Sequence, residues 1–130
     1  MPGTLLLDSE GLSKLYRRDR NVVIHIEAAR HEGIRVGTTA MTRLEAEDLR
    51  LNKARITWAL SRLDLHEITR TISDSAAELL RAHRLHGHKY TIDAVLAAVA
   101  RSAPAPVTIL TSDPEDLTLL CGPEIGIIKV

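Results

Sequence analysis

Aromatic residues are nearly missing from this chain. Among 130 residues there is no Phe, one Trp (Trp58) and two Tyr (Tyr16 and Tyr90). A protein that lays single-stranded bases along an aromatic platform normally needs more than these three. Cysteine occurs once, as Cys121, which excludes an intrachain disulfide and makes a reducing, cytoplasmic setting the expectation. Neither charge sign is in excess, with seventeen basic and seventeen acidic side chains. That balance argues against a protein that coats nucleic acid by bulk charge, while leaving room for a local basic groove. No apolar run is long enough to cross a bilayer. The opening MPGTLLLDSE turns acidic too early to read as a signal peptide. What remains, 45% apolar and 26% charged, is the composition of one globular domain over residues 1–130.

Short β-like runs alternate with helical patterns. Leu5 to Leu7 reads as a first strand, followed by a short helix over about residues 10–17. A second helix spans about Asn21 to Glu32, with Val22, Val23, Ile26 and Ala29 on one face and Gly33 as its C-terminal stop. Ile34 to Val36 reads as a strand, and Thr38 or Thr39 opens the helix that carries Glu45. A helical pattern then continues from Leu49 to Leu63, with a weak strand near Leu65 to Ile68. Ser75-x-x-Glu78 has the form of a capping box, Gly87 the form of a helix stop, and Thr91 to Ala100 is an apolar helix. After the breaker SAPAP come a strand, Val107 to Leu110, a helix, Asp113 to Leu120, and a last strand, Ile125 to Val130. The strand runs are continuously apolar, as in parallel sheets buried on both faces. The expectation is therefore an α/β fold of three layers, with helices on both sides of a parallel sheet. In such sheets the site lies beyond the carboxyl ends of the strands.

Four acids draw attention at that edge: Asp8, Glu45, Asp93 and Asp113. Asp8 closes the first apolar run, and Asp113 follows the strand in TILTSDPEDL. Asp93 is the only charged residue in TIDAVLAAVA. A carboxylate on so apolar a helix is costly unless something pairs with it. Several acids at one edge repel, and a divalent cation relieves the repulsion. Each acid also has a local explanation. Asp8 and Asp113 can cap helices, Thr42-x-x-Glu45 can be a capping box, and Asp93 can sit in a first turn where the helix dipole favours it. These explain the acids singly but not their common place.

With those residues in view, the chain resembles the PIN domain, and within it the VapC-type toxins of prokaryotic toxin–antitoxin pairs. The resemblance rests on LLLDSEGLSKL, TTAMTRLEAE around Glu45, YTIDAVLAAVA around Asp93 and TILTSDPEDL, in this order and over nearly the whole chain. It implies a central five-stranded parallel sheet, a metal-dependent endoribonuclease, a homodimer, and an antitoxin protein that blocks the active site. The four family acids correspond to Asp8, Glu45, Asp93 and Asp113, and the family's hydroxyl position to Thr111. Glu47 and Asp48 crowd Glu45, so the second acid remains open, and Asp116 can share the role of Asp113.

An all-oxygen ligand set favours a hard cation, Mg²⁺ or Mn²⁺. On this reading Asp8, Asp93 and Asp113 hold the ion directly or through water, and Glu45 orients the attacking water or holds a second ion. Thr111 or Ser112 hydrogen-bonds a carboxylate or a phosphate. Arg17, Arg43, Lys53 and Arg55 are candidate walls of an RNA groove. His86, His88 and Cys121 match no zinc spacing, and His86, His88 and Lys89 read instead as surface residues or a phosphate contact. Trp58 is expected in the core or at a subunit contact. Two rivals stay in view: a PIN fold without catalysis serving as an interaction module, and a phosphatase of the haloacid-dehalogenase type. The second would need an Asp two residues after Asp8, where Glu10 stands.

Overall fold

The structure, a computed structural model, describes residues 2–130. Its elements run β1 (Thr4–Leu7), α1 (Ser9–Tyr16), α2 (Arg20–His31), β2 (Arg35–Thr39), α3 (Ala40–Glu45), α4 (Lys53–Ser61) and β3 (Asp64–His66). They continue with α5 (Arg70–Ala82), α6 (Gly87–Ser102), β4 (Val107–Thr111), α7 (Pro114–Cys121) and β5 (Gly126–Lys129). All five strands are parallel, in the order β3-β2-β1-β4-β5. The expected three-layer α/β fold with a five-stranded parallel sheet is what the chain forms.

β1 is buried along its whole length, and its alternation builds the layers. Leu5 and Leu7 face a core with Leu12 and Tyr16 of α1, Val22, Ile26 and Ala29 of α2, and Ile56 and Ala59 of α4. Leu6 faces the other side, against Leu96, Ala97, Val99 and Ala100 of α6 and Leu117 and Leu120 of α7. α5 lies outside α6, closing on Ala94, Val95 and Ala98 with Ala76. α6 is thus covered on two sides, which is why the stretch from Ala94 to Ala100 is buried without a break.

Several local expectations shift. The helix expected from Leu49 begins only at Lys53, capped by Asn52, whose side chain accepts from the Ala54 N–H. Leu49 is 97% exposed in the intervening turn rather than on a buried face. Ser75-x-x-Glu78 is no helix start, because α5 already begins at Arg70, capped by the Thr69 hydroxyl. Gly87 opens α6 instead of ending α5, and Arg84 makes the left-handed turn between them at φ 55°. Asp93 consequently lies in the second turn of α6, beyond the first turn where the dipole argument applies. Glu45 ends α3 rather than standing at a strand-to-helix junction. Trp58 is 56% exposed, outside the core, with the Arg62 guanidinium 5.1 Å from its ring centre.

The pairing of β2 with β3 depends on Gly37. A Cβ there would stand 2.5 Å from the Asp64 carbonyl oxygen and 3.2 Å from His66 Nε2. Gly37→Ala is expected to lower stability by about 1–3 kcal/mol through forced backbone displacement, read as a lower urea midpoint at unchanged m-value.

Candidate active site

The strand order places a topological switch at the centre of the sheet, because the chain leaves β1 toward β2 on one side and reaches β4 on the other. The carboxyl ends of β1 and β4 therefore adjoin, at the edge where open α/β sheets carry their sites. Asp8 follows β1 there, and Thr111 ends β4.

Asp8 is 91% buried, by its 9% exposure, and its two oxygens are both held. One accepts the Gly11 N–H at 2.7 Å, which makes Asp8 the cap of α1. The other accepts the Thr111 hydroxyl. The Thr111 oxygen in turn accepts the Asp113 N–H at 3.0 Å. A short relay thus runs from the backbone of Asp113 through Thr111 to Asp8. Gly11 is required by close approach: a Cβ would meet the Leu110 carbonyl at 2.9 Å and Asp8 Oδ1 at 3.4 Å. Burial raises the Asp8 carboxyl above its ordinary value, its hydrogen bonds from Thr111 and Gly11 pull the other way, and Glu10 and Glu45 raise it further.

Asp93 is the electrostatic centre of the group. Desolvation pushes its carboxyl up to about 6, and Asp116, Asp8, Glu45 and Asp113 all add to the rise. Among the described residues no hydrogen bond or cation contributes in the other direction, and no ion pair involves it. Asp8, Glu45 and Asp113 are therefore each within electrostatic reach of Asp93, and Asp116 outweighs Asp113 in its effect on Asp93. Asp113 occupies the cap position of α7, but its side chain makes no capping bond. Glu45 is exposed on α3, whose start is capped by Thr39, with the Thr39 hydroxyl accepting the Thr42 N–H at 3.0 Å. The capping-box reading of Thr42 and Glu45 therefore falls away. Glu47 acts on Tyr16 rather than on Asp8 or Asp93. Asp48 is occupied by Arg50, which forks onto it at 2.9 and 3.0 Å. Among the described residues no three His, Cys, Asp or Glu side chains stand close enough to share one ion. The carboxylates would have to turn inward to do so.

The other candidates are scattered. The Ser112 hydroxyl donates to the Val130 carbonyl at 3.2 Å. Arg43 and Lys53 share a hollow with Glu47 and Asp48, whereas Arg55 lines a separate groove between α1, α2 and α4. Arg17 lies at the end of α1, near enough to Asp48 to lower its carboxyl. The four basic residues form no single wall. Cys121 is buried, its thiol pushed up to about 11, and it contacts Arg101 at the far end of α6 from His86 and His88. A joint zinc site is excluded by that separation. One further side chain stands out: Tyr16 is buried, and its hydroxyl has no hydrogen-bond partner among the described residues. Its position on the buried face of α1 was visible along the chain, but its missing partner was not.

These features define a domain of PIN-like three-layer fold with an acidic centre at the switch of its sheet. No protein-family model matches the chain, and no curated protein matches its sequence. Solved structures match its fold. A chain of VapBC2 from Rickettsia felis, bound to a DNA fragment from its promoter, superposes with a TM-score of 0.70 at 13% identity, over 98% of this chain and 98% of that one. A chain of FitAB bound to an IR36 DNA fragment gives 0.63 at 18% identity, covering 96% and 94%. A chain of FitAcB from Neisseria gonorrhoeae gives 0.61 at 18%, covering 95% and 95%. The likeness in fold and the resemblance carried by the four motifs agree by separate routes.

The raised carboxyl of Asp93 has a consequence for stability. Between pH 3.8, its ordinary value, and about 6 the folded chain keeps a proton that the unfolded chain has released. Stability falls as pH rises through this window, and the full cost, roughly 2–3 kcal/mol, is present above it. Asp93→Asn should therefore be more stable than the wild type at pH 7.5 and closely matched at pH 4, as measured by urea unfolding at both values without divalent ions.

Proposed function

We propose that this chain is a Mg²⁺- or Mn²⁺-dependent endoribonuclease and the toxin of a VapBC-like toxin–antitoxin pair. The observation that carries the reading is Asp93, half-buried and surrounded by four further acids with no cation to offset them. The donor chemistry fits a hard ion, because the group is made of carboxylates with no His or Cys contributing to its electrostatics. Asp8, Asp93 and Asp113 would hold the ion, with Asp116 sharing the part of Asp113. A bound Mg²⁺ supplies charge for the phosphodiester and lowers the pKa of a coordinated water. The chain's own residues do the rest. The Thr111 hydroxyl and the Gly11 N–H hold the two oxygens of Asp8, and Glu45, exposed at the end of α3, would take a proton from the attacking water.

The same acids suit a partner. An antitoxin segment carrying an arginine could satisfy the paired carboxylates through a bidentate fork in place of the ion. The apolar groove of about 260 Å³ between α1, α2 and α4, rimmed by Arg55 and Arg62 and carrying the exposed Trp58, supports a protein partner on this chain. The matched proteins are themselves VapBC and FitAB structures. A homodimer belongs to the same reading. The absence of a ready three-acid cluster among the described residues favours a second reading, a PIN-fold interaction module without catalysis.

Cleavage of RNA by the purified chain with Mg²⁺ or Mn²⁺ separates the two. Asn at Asp8, Asp93 or Asp113 is expected to cost about 10²-fold or more, with double variants little worse than single ones because the acids act as a unit. Glu45→Gln should be severe and Glu47→Gln mild, and the reverse order would move the second acid to Glu47. Millimolar Mg²⁺ should raise the melting temperature of the wild type, and Asp93→Asn should remove most of the increment. A protein that neither cuts RNA nor responds to either ion is the interaction module. Purification from the native host is expected to recover the chain with an antitoxin bound, and recovery of the free chain from healthy cells would remove that part of the reading.

A further inference from the structure

The turn from α5 into α6 gathers three cations, Arg81, Arg84 and Lys89, on a chain that is neutral overall. No acid occurs between Glu78 and Asp93, while Arg81, Arg84 and Lys89 do, together with three of the chain's six histidines. None of these cations is in an ion pair among the described residues. Arg81, Arg84, His86, His88 and Lys89 are all exposed. Arg84 adopts a left-handed backbone, φ 55°, at a corner where glycine would be unstrained. A large cation is therefore held at a position whose backbone disfavours it.

The turn is continuous with the acidic centre. Tyr90 and Lys89 precede Asp93 on α6 by three and four residues, so they share its side of the helix. The axial offset of Lys89 is about 6 Å, at ~1.5 Å per residue. That is within one or two nucleotide steps of a phosphate at Asp93, by the spacing of about 3.4 Å per charge along one strand. Lys89 is not spent on the acid. Its ammonium lies 5.2 Å from the centre of the Tyr90 ring, and Tyr90 is only half-buried. An aromatic face with a cation on it, next to a site for phosphate chemistry, is what an unstacked base and its backbone need.

Resting on the nuclease reading above, we infer that this turn is the track that grips the RNA strand on one side of the bond to be cut. Arg84 and Lys89 hold phosphates, His86 and His88 flank them, and Tyr90 offers a face for one base. This side of the site differs from the side of Arg43, Lys53 and Arg55, where acids and an apolar groove are interspersed. Glu78 lines the hollow beside Arg81, Arg84 and His86, but no acid follows it before Asp93, and cations spaced without acids suit a polyanion.

The test uses the full chain and a short fluorescent single-stranded RNA, with binding followed by anisotropy in an Asp93→Asn background. Arg84→Gly with Lys89→Gln is expected to weaken binding at least tenfold. The slope of log K against log salt should become shallower by about 1.4, at ~0.7 for each lost phosphate contact on a single strand. Arg84→Gly relieves the left-handed strain, so a loss of binding cannot be put down to misfolding. Tyr90→Leu should weaken binding severalfold without changing the slope, and Arg70→Gln, at the far end of α5, should do neither. In the cutting enzyme the paired variant should raise KM about tenfold with kcat unchanged. Unaltered RNA affinity and slope in the paired variant, while the wild type still cuts RNA, would overturn the track and leave the nuclease standing. Loss of binding to polyglutamate but not to RNA would overturn it in favour of a protein surface. Failure of the parent to bind RNA, together with failure of the wild type to cut it, would remove both readings at once.

Discussion

Leu7 of β1 lies beside Leu110 of β4, and one residue further on the Asp8 N–H still reaches the Leu110 carbonyl at 3.2 Å. Everything at the site depends on this parallel pairing. It brings together two segments more than a hundred residues apart, so that the Thr111 hydroxyl can close on Asp8. It is secured by Leu6, Leu7, Ile109 and Leu110, all fully buried. It also demands Gly11, since α1 turns back over the Leu110 carbonyl at a distance no side chain would permit. The hydrophobic sheet thus determines the position of its most polar residue.

A second constraint comes from α6. Its residues 94–100 are buried between the sheet and α5, so the helix cannot rotate to carry Asp93 into water. The carboxylate is held where four other acids raise its proton affinity. Folding energy from apolar burial maintains an arrangement that electrostatics opposes, and a site strained in this way is a common mark of function. The same helix carries Lys89 and Tyr90 one turn before Asp93.

Legibility from the sequence followed the range of the interactions involved. The five strands, the parallel sheet and the apolar character of α6 come from short-range pattern, and residues such as Leu5 to Leu7 or Ala94 to Ala100 announce them. Boundaries failed where two signals competed. Ser75-x-x-Glu78 looked like a helix start, yet Thr69 caps α5 six residues earlier and burial of Ile72 against α6 favours the longer helix. Leu49 extended a helical pattern, but no core lies beneath it, and Asn52 offered a better cap. Gly87 has the form of a helix stop, but the left-handed turn falls on Arg84, and Gly87 opens α6.

The layered parallel fold and the candidate acids can be read along the chain, because hydrophobic period and residue chemistry are local properties. It also held the acid-free stretch between Glu78 and Asp93. Which acids act on one another is a matter of packing. Glu45 reaches Asp8 and Asp93, Glu47 turns to Tyr16, Asp48 is taken by Arg50, and Asp116 weighs more on Asp93 than Asp113 does. Those partnerships follow from distances between α1, α3, α6 and α7. Such distances are set by how the helices pack on the sheet, and no spacing along the chain encodes them.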